Sequence, residues 1–193
     1  MQREDLLTGR VQSGGREPAE GDLRLIQDFV NTVDREHGGE VFDSPAGLEE
    51  WLAVRELPGA PVDDGGLERA LALREALRTL LLANNGGPDS PEAAETLAAA
   101  ARAAALTPVF RAAGPVLEPQ ADGLDATLGR LVAIAFAAML DGRWPRLKAC
   151  PREVCGWVFQ DRSTANRGTW CSMRICGNRV KANAYYRRRT RGD

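Results

Sequence analysis

The residues best suited to chemistry in this chain are its four cysteines, and all of them lie in the last quarter. Cys150-Pro151-Arg152-Glu153-Val154-Cys155 and Cys171-Ser172-Met173-Arg174-Ile175-Cys176 are two C-x4-C pairs with fifteen residues between them. Thiolate sulfur suits a borderline-soft ion, and a structural zinc site takes four protein ligands on a tetrahedron. Cys150, Cys155, Cys171 and Cys176 are therefore predicted to hold one structural Zn²⁺. Two other uses fit less well. Met1-Gln2-Arg3-Glu4-Asp5 carries charge where a secretory signal needs an apolar core, so the chain is expected in the reducing cytoplasm, where stable disulfides are uncommon. A redox dithiol usually takes C-x-x-C beside a βαβ pattern, and neither is present.

Charge divides the chain. Residues 142–193 hold 13 Lys+Arg against 3 Asp+Glu, whereas residues 1–141 hold 12 against 24. Two segments of opposite sign imply two modules with different partners. We expect a flexible lead-in at 1–21, a helical domain at 22–142 and a zinc finger at 143–193. The longest apolar run, Leu131 to Leu140, is too short to span a bilayer, so no membrane partner is expected.

The helical module reads as a bundle of about five helices with one minor β-hairpin. A helix begins at Asp22, with Leu23, Ile26, Phe29, Val30 and Val33 on one face, and stops at His37-Gly38-Gly39. Ser44-Pro45 and Ser90-Pro91 each pair a capping serine with proline at the first helical position. The first starts a helix facing inward through Leu48, Trp51 and Leu52, and the second starts an alanine-rich one. Between them a helix runs from about Leu67 to Ala83, with Leu71, Leu77, Leu80 and Leu81 inward and Arg69, Arg74, Glu75 and Arg78 on its solvated side. Thr107–Arg111 and Pro115–Pro119 form the hairpin candidate, and Leu124 to Leu140 a buried helix. No P-loop, dinucleotide-binding glycine fingerprint, G-x-S-x-G or H-E-x-x-H occurs, so no enzyme activity is expected. His37 reads first as a solvated or end-capping residue. Asp28 and Asn31 read first as surface or packing residues. All three are secondary candidates for contacting a small-molecule effector.

In the basic segment, Trp157-Val158-Phe159 and Thr169-Trp170 read as two strands of a hairpin between the cysteine pairs. The second pair opens a final helix. Knuckle, hairpin and helix make a treble-clef-like finger, too small to fold without its metal. Arg174, Arg179, Lys181, Arg187, Arg188 and Arg189, with Asn178, match a phosphate- and base-contacting footprint. A merely solvated basic tail is the competing reading, and Asn178 is equally suited to hydrogen bonding within the knuckle.

Cys171-Ser172-Met173, Cys176-Gly177-Asn178-Arg179 and Lys181, preceded by Cys155-Gly156-Trp157 and Phe159, closely resemble the CGNR zinc finger. Asp28-Phe29-Val30-Asn31-Thr32-Val33 and Leu48-Glu49-Glu50-Trp51-Leu52 resemble the ABATE domain that usually precedes it. The resemblance spans about Leu23 to Arg189. It implies a bacterial stress-responsive transcription regulator, with DNA bound by the finger and a small ligand by the helical domain. RNA is the alternative polyanion, and a structural clip on a small-molecule binder or enzyme is the alternative role for the finger. A homodimer is expected, because one small finger reads few base pairs. Gly168-Thr169 stands where relatives commonly carry arginine, which weakens any phosphate contact at that turn.

Overall fold

The computed structural model describes residues 1–191, with the side chains of 184, 185 and 187–191 outside the description. The architecture is mainly helical with small two-stranded sheets. Its order is α1 (Arg3–Thr8), α2 (Leu23–Val30), β1 (Val33–Asp34), β2 (Gly39–Glu40), α3 (Pro45–Val54), α4 (Asp64–Ala83), α5 (Pro91–Ala103), β3 (Thr107–Arg111), β4 (Gly114–Glu118), α6 (Gly123–Leu140), β5 (Leu147–Ala149), β6 (Val158–Gln160) and α7 (Asn178–Arg191).

The serine caps form as their sequence implies: Ser44 Oγ accepts from Gly47 N and Ser90 Oγ from Ala93 N, each with proline beginning the helix. Asp63 caps α4 in the same manner, accepting from Gly66 N, and starts it three residues before Leu67. Phe29, Phe42 and Trp51 form an aromatic centre with ring centroids 5.4 to 5.8 Å apart. Helices α4, α5 and α6 pack side by side around Leu73, Leu77, Leu97, Leu128 and Leu131. Strands β3 and β4 pair in register from Thr107–Glu118 to Arg111–Gly114 across a two-residue turn. Helix α6 alone among the described helices is long and apolar enough, by length and composition, to cross a bilayer, and half of it is buried in the bundle. The helix starts at Gly123, one residue before the expected Leu124, so it extends well beyond the continuous apolar run Leu131–Leu140.

Several expectations need correcting. Residues 1–21 are not a loose lead-in: Leu6 and Leu7 of α1 enter the core, and Gln12 is buried. A short hydrophobic pair within a polar stretch carries too weak a period to announce this. Helix α2 ends at Val30, and the residues up to His37 instead enter the β1–β2 hairpin, because Val41 N pairs with Thr32 O. Arg74 and Arg78 are each only 5% exposed. Arg74 is neutralised by Glu40, and Arg78 donates to Gly156 O and Val30 O at 2.7 Å each. The expected strand at Thr169-Trp170 does not form; β6 pairs backwards with β5, in front of the first knuckle.

The two oppositely charged segments share one continuous core, in which Trp157, Val158, Phe159 and three of the cysteines pack with the bundle residues.

Candidate metal centre and nucleic-acid interface

Each cysteine pair is shaped by its own local geometry. The first closes a hairpin: Cys150 N donates to Trp157 O, extending the β5–β6 ladder past its last paired residues. The chain then turns on Arg152 O, which accepts from both Cys155 N and Gly156 N. Gly156 has φ +58°, a conformation that favours glycine. The second pair needs a different solution. Cysteines five positions apart would stand about 140° apart around an α-helix. Met173–Gly177 is instead a wider π turn, capped by Ser172, whose carbonyl accepts from both Cys176 N and Gly177 N. Cys171 stands outside that turn, because Ser172 is extended at φ −150° and ψ 129°, and its sulfur lies 3.5 Å from that of Cys176 before α7 begins.

The four Sγ atoms all lie within 4.8 Å of one another. Cys155–Cys171 and Cys171–Cys176 are 3.6 and 3.5 Å apart. Ligands about 2.3 Å from a tetrahedral zinc stand roughly 3.8 Å apart, whereas a disulfide is about 2.05 Å long. The cluster therefore has the size of a one-ion site. Cys150, Cys171 and Cys176 are buried and Cys155 is partly so. Hydrogen bonding to Cys150 and Cys171, together with burial, pushes the Cys155 thiol up. Hydrogen bonding to Cys150 is the main cause that raises Cys171 to about 12. A bound divalent cation reverses that balance and deprotonates the set.

Other residues orient the sulfurs. Ser13 Oγ lies 3.5 Å from Cys171 Sγ, and Arg16 donates to the carbonyls of Trp170 and Cys171 while lying 4.6 Å from the Phe159 ring centroid. Arg152 donates to Cys176 Sγ at 3.6 Å and to both oxygens of Glu36 at 2.8 Å. Glu36 also pairs with Arg179. Hydrogen bonding from Arg152 is the largest cause holding the Glu36 carboxyl below its ordinary range. None of Ser13, Arg16 and Glu36 was legible as part of this centre. Arg152 stands between two cysteines in the sequence, but nothing there pairs it with Glu36.

These contacts leave room for a match to known families. The model described as "Putative stress-induced transcription regulator", ABATE, matches residues 23–143, well over half of the chain. The chain belongs to the ABATE family. The CGNR zinc finger matches residues 146–189, so the finger follows the ABATE domain almost without a gap. No curated protein matches the chain. The CGNR finger and the sulfur geometry agree on one structural zinc held by Cys150, Cys155, Cys171 and Cys176.

The remaining candidates separate. Arg174, Asn178, Arg179 and Lys181 are exposed around the start of α7, beside the zinc ligands. The side chains of Arg187, Arg188 and Arg189 lie outside the described residues. In the ABATE domain, Asn31 and Asp28 are both buried. Asn31 hydrogen-bonds Val158 of the finger. Asp28 pairs with Arg24 and Arg55; burial raises its pKa and outweighs the pull of both guanidiniums. His37 is exposed, with Nδ1 2.8 Å from Asp34 Oδ2. These three do not converge on a shared pocket. Asp161, which no motif marked, organises the finger's loop by accepting from Lys148 Nζ, Ser163 N and Gly168 N. A Cβ at Gly168 would stand 2.7 Å from that carboxylate, so arginine there requires a different loop.

Proposed function

We propose that this protein is a DNA-binding transcription regulator in which the zinc site holds the start of α7 against the duplex. One observation carries the reading: Arg174, Arg179 and Lys181, with Asn178, are exposed around a helix start fixed by two metal ligands. Pinned cations lose little entropy on gripping phosphates, and Asn178 beside them is positioned for a base edge. The ABATE match points to the same role. The acidic bundle is the sensor in this reading. A hollow of about 310 Å³ between α4, α5 and α6, made roomy by Ala72, Ala99 and Ala103, is its candidate effector site. The protein acts in the cytoplasm as a regulator and not as an enzyme.

The test uses the full chain, because the finger shares its core with the bundle. Fluorescence anisotropy with duplex DNA across a salt series is expected to give a log–log slope of about −4 to −5, as when four to six phosphates are neutralised. No binding at low salt, or a flat response, overturns the reading. Competition by structured RNA over duplex DNA would move the target to RNA. Thermal-shift screening of small metabolites on the full chain tests the sensor, and no stabilising compound counts against it.

A further inference from the structure

From Leu131 to Leu140 helix α6 is apolar on every side, yet only half of the helix is buried. A helix of that kind is normally covered on all sides. Its uncovered side carries Phe136, Met139 and Leu140, which are 47%, 44% and 74% exposed. Alongside runs the β3–β4 hairpin, whose Phe110 is 82% exposed on the same face as Pro115 and Leu117. Between hairpin and helix lies a groove of about 420 Å³ whose walls include Pro115, Leu117, Ala133, Ala137 and Leu140. Phe110, Phe136, Met139 and Leu140 together present on the order of 400 Å² of apolar surface, given about 150–250 Å² for an aromatic residue. A patch of that size on a monomer is often functional.

We propose that this face is the contact between two copies of the chain, related by a two-fold axis, with Phe110 of each copy seated in the other's groove. A two-fold contact must be self-complementary, and this patch carries both the projecting ring and the recess that fits it. Its charges are also self-complementary. The first 141 residues hold twice as many acids as bases, but the rim of the patch is balanced. Asp22, Glu118 and Asp141 are matched by Arg111, Arg130 and Arg143, and several of them already pair. A second copy therefore meets no net repulsion there.

The hairpin favours packing through its face over strand addition. Across a two-residue turn, Arg111 and Gly114 form the hydrogen-bonded pair nearest the turn, so Phe110–Pro115 and Pro108–Leu117 fall at the non-hydrogen-bonded positions. At those positions main-chain groups point outward. Pro108 therefore leaves the free edge of β3 without an N–H where an added strand would need one.

Sedimentation of the full chain without DNA, across the micromolar range, tests this. The expected result is a dimer that Phe110→Asp and Leu140→Glu each weaken by about tenfold or more, with circular dichroism unchanged. Val54→Asp, an exposed apolar position on α3, is expected to leave the dimer intact. A monomer throughout, a dimer indifferent to both patch variants, or a monomer that binds zwitterionic vesicles through Phe110 each overturns the proposal. The outcome is separable from the DNA reading: a monomer that still binds DNA defeats only the dimer, and a dimer that ignores DNA defeats only the regulator.

Discussion

The side-chain amide of Asn31 serves Val158 as a neighbouring strand would. Asn31 Oδ1 accepts from Val158 N at 2.8 Å, and its Nδ2 donates to Val158 O at 2.9 Å. Strand β6 has β5 on one side only, so the outward main-chain groups of Val158 would otherwise be buried without partners. Gln27, one turn earlier on α2, adds a third bond to Val158 O at 3.1 Å. The seam between the bundle and the finger is thus hydrogen-bonded like the interior of a sheet. Asn31→Ala strands the Val158 N–H and is expected to cost about 1–3 kcal/mol by urea denaturation. A change within about 0.5 kcal/mol, as at a surface position, would show that the bonds carry no stability.

Arg78→Lys tests the same seam from α4. The Arg78 guanidinium reaches Gly156 O, Val30 O and Glu75 at once. Burial brings its pKa down to about 10 against the pull of Glu75, which still leaves it charged at neutral pH. An ammonium lacks the planar fork needed for both carbonyls. The expected loss is about 2–3 kcal/mol, read in the same denaturation assay.

Removal of the metal should affect more than the C-terminal quarter. Cys155→Ser or Cys176→Ser is expected to abolish zinc retention by elemental analysis, and zinc is worth about 10–16 kcal/mol in finger peptides. Because Trp157 and Phe159 lie in the shared core, the bundle should lose stability with the finger, seen as a lower Tm in helical circular dichroism. Full zinc stoichiometry in either variant contradicts the ligand set. An unchanged helical Tm contradicts the coupling.

Acid sensitivity should follow Asp161. Burial pushes its carboxyl up, but hydrogen bonds from Lys148, Ser163 N and Gly168 N outweigh that and hold it well below the usual range. The folded pKa is the lower one, so this contribution is fully present above about pH 4, the unfolded carboxyl's pKa, and is lost as pH falls toward the folded value. Asp161→Asn should lower stability at pH 7 and flatten the part of the acid-unfolding curve below about pH 4. A parallel displacement of the whole curve would assign the acid sensitivity elsewhere.

Arg179→Ala is expected to weaken DNA binding and to reduce the magnitude of the log–log salt slope by about 1, as for one lost phosphate contact. Glu36→Gln should do the opposite at low salt, because it removes an acidic partner that competes for Arg179. Equal slopes in wild type and Arg179→Ala would remove this residue from the interface.

The metal centre was the most legible part of the chain, because cysteine spacing constrains geometry directly. The serine–proline helix starts were also legible, since their signal is local. What sequence could not supply was the partner of a group whose counterpart lies far along the chain. Arg74 and Arg78 look like a solvated stripe until Glu40 and the Gly156 carbonyl arrive beside them. Val158 looks like one strand of a hairpin with Thr169-Trp170, but its neighbours are Ala149, nine residues earlier and just ahead of the first knuckle, and an asparagine from α2. Leu6 and Leu7 lacked enough apolar company to suggest burial, yet Arg55 donates to Leu7 O and both residues join the core.

Residues 1–22 fall ahead of both matched segments, but Leu6 sits in the bundle while Ser13 and Arg16 lean on the finger. A finger cut loose at residue 143 would carry Trp157 and Phe159 into water and lose these supports. The boundary drawn by family resemblance is therefore not a line along which the molecule comes apart. Recombination could not trade this finger between unrelated hosts like a cassette; it would have to travel with the opening residues and the helices it leans on.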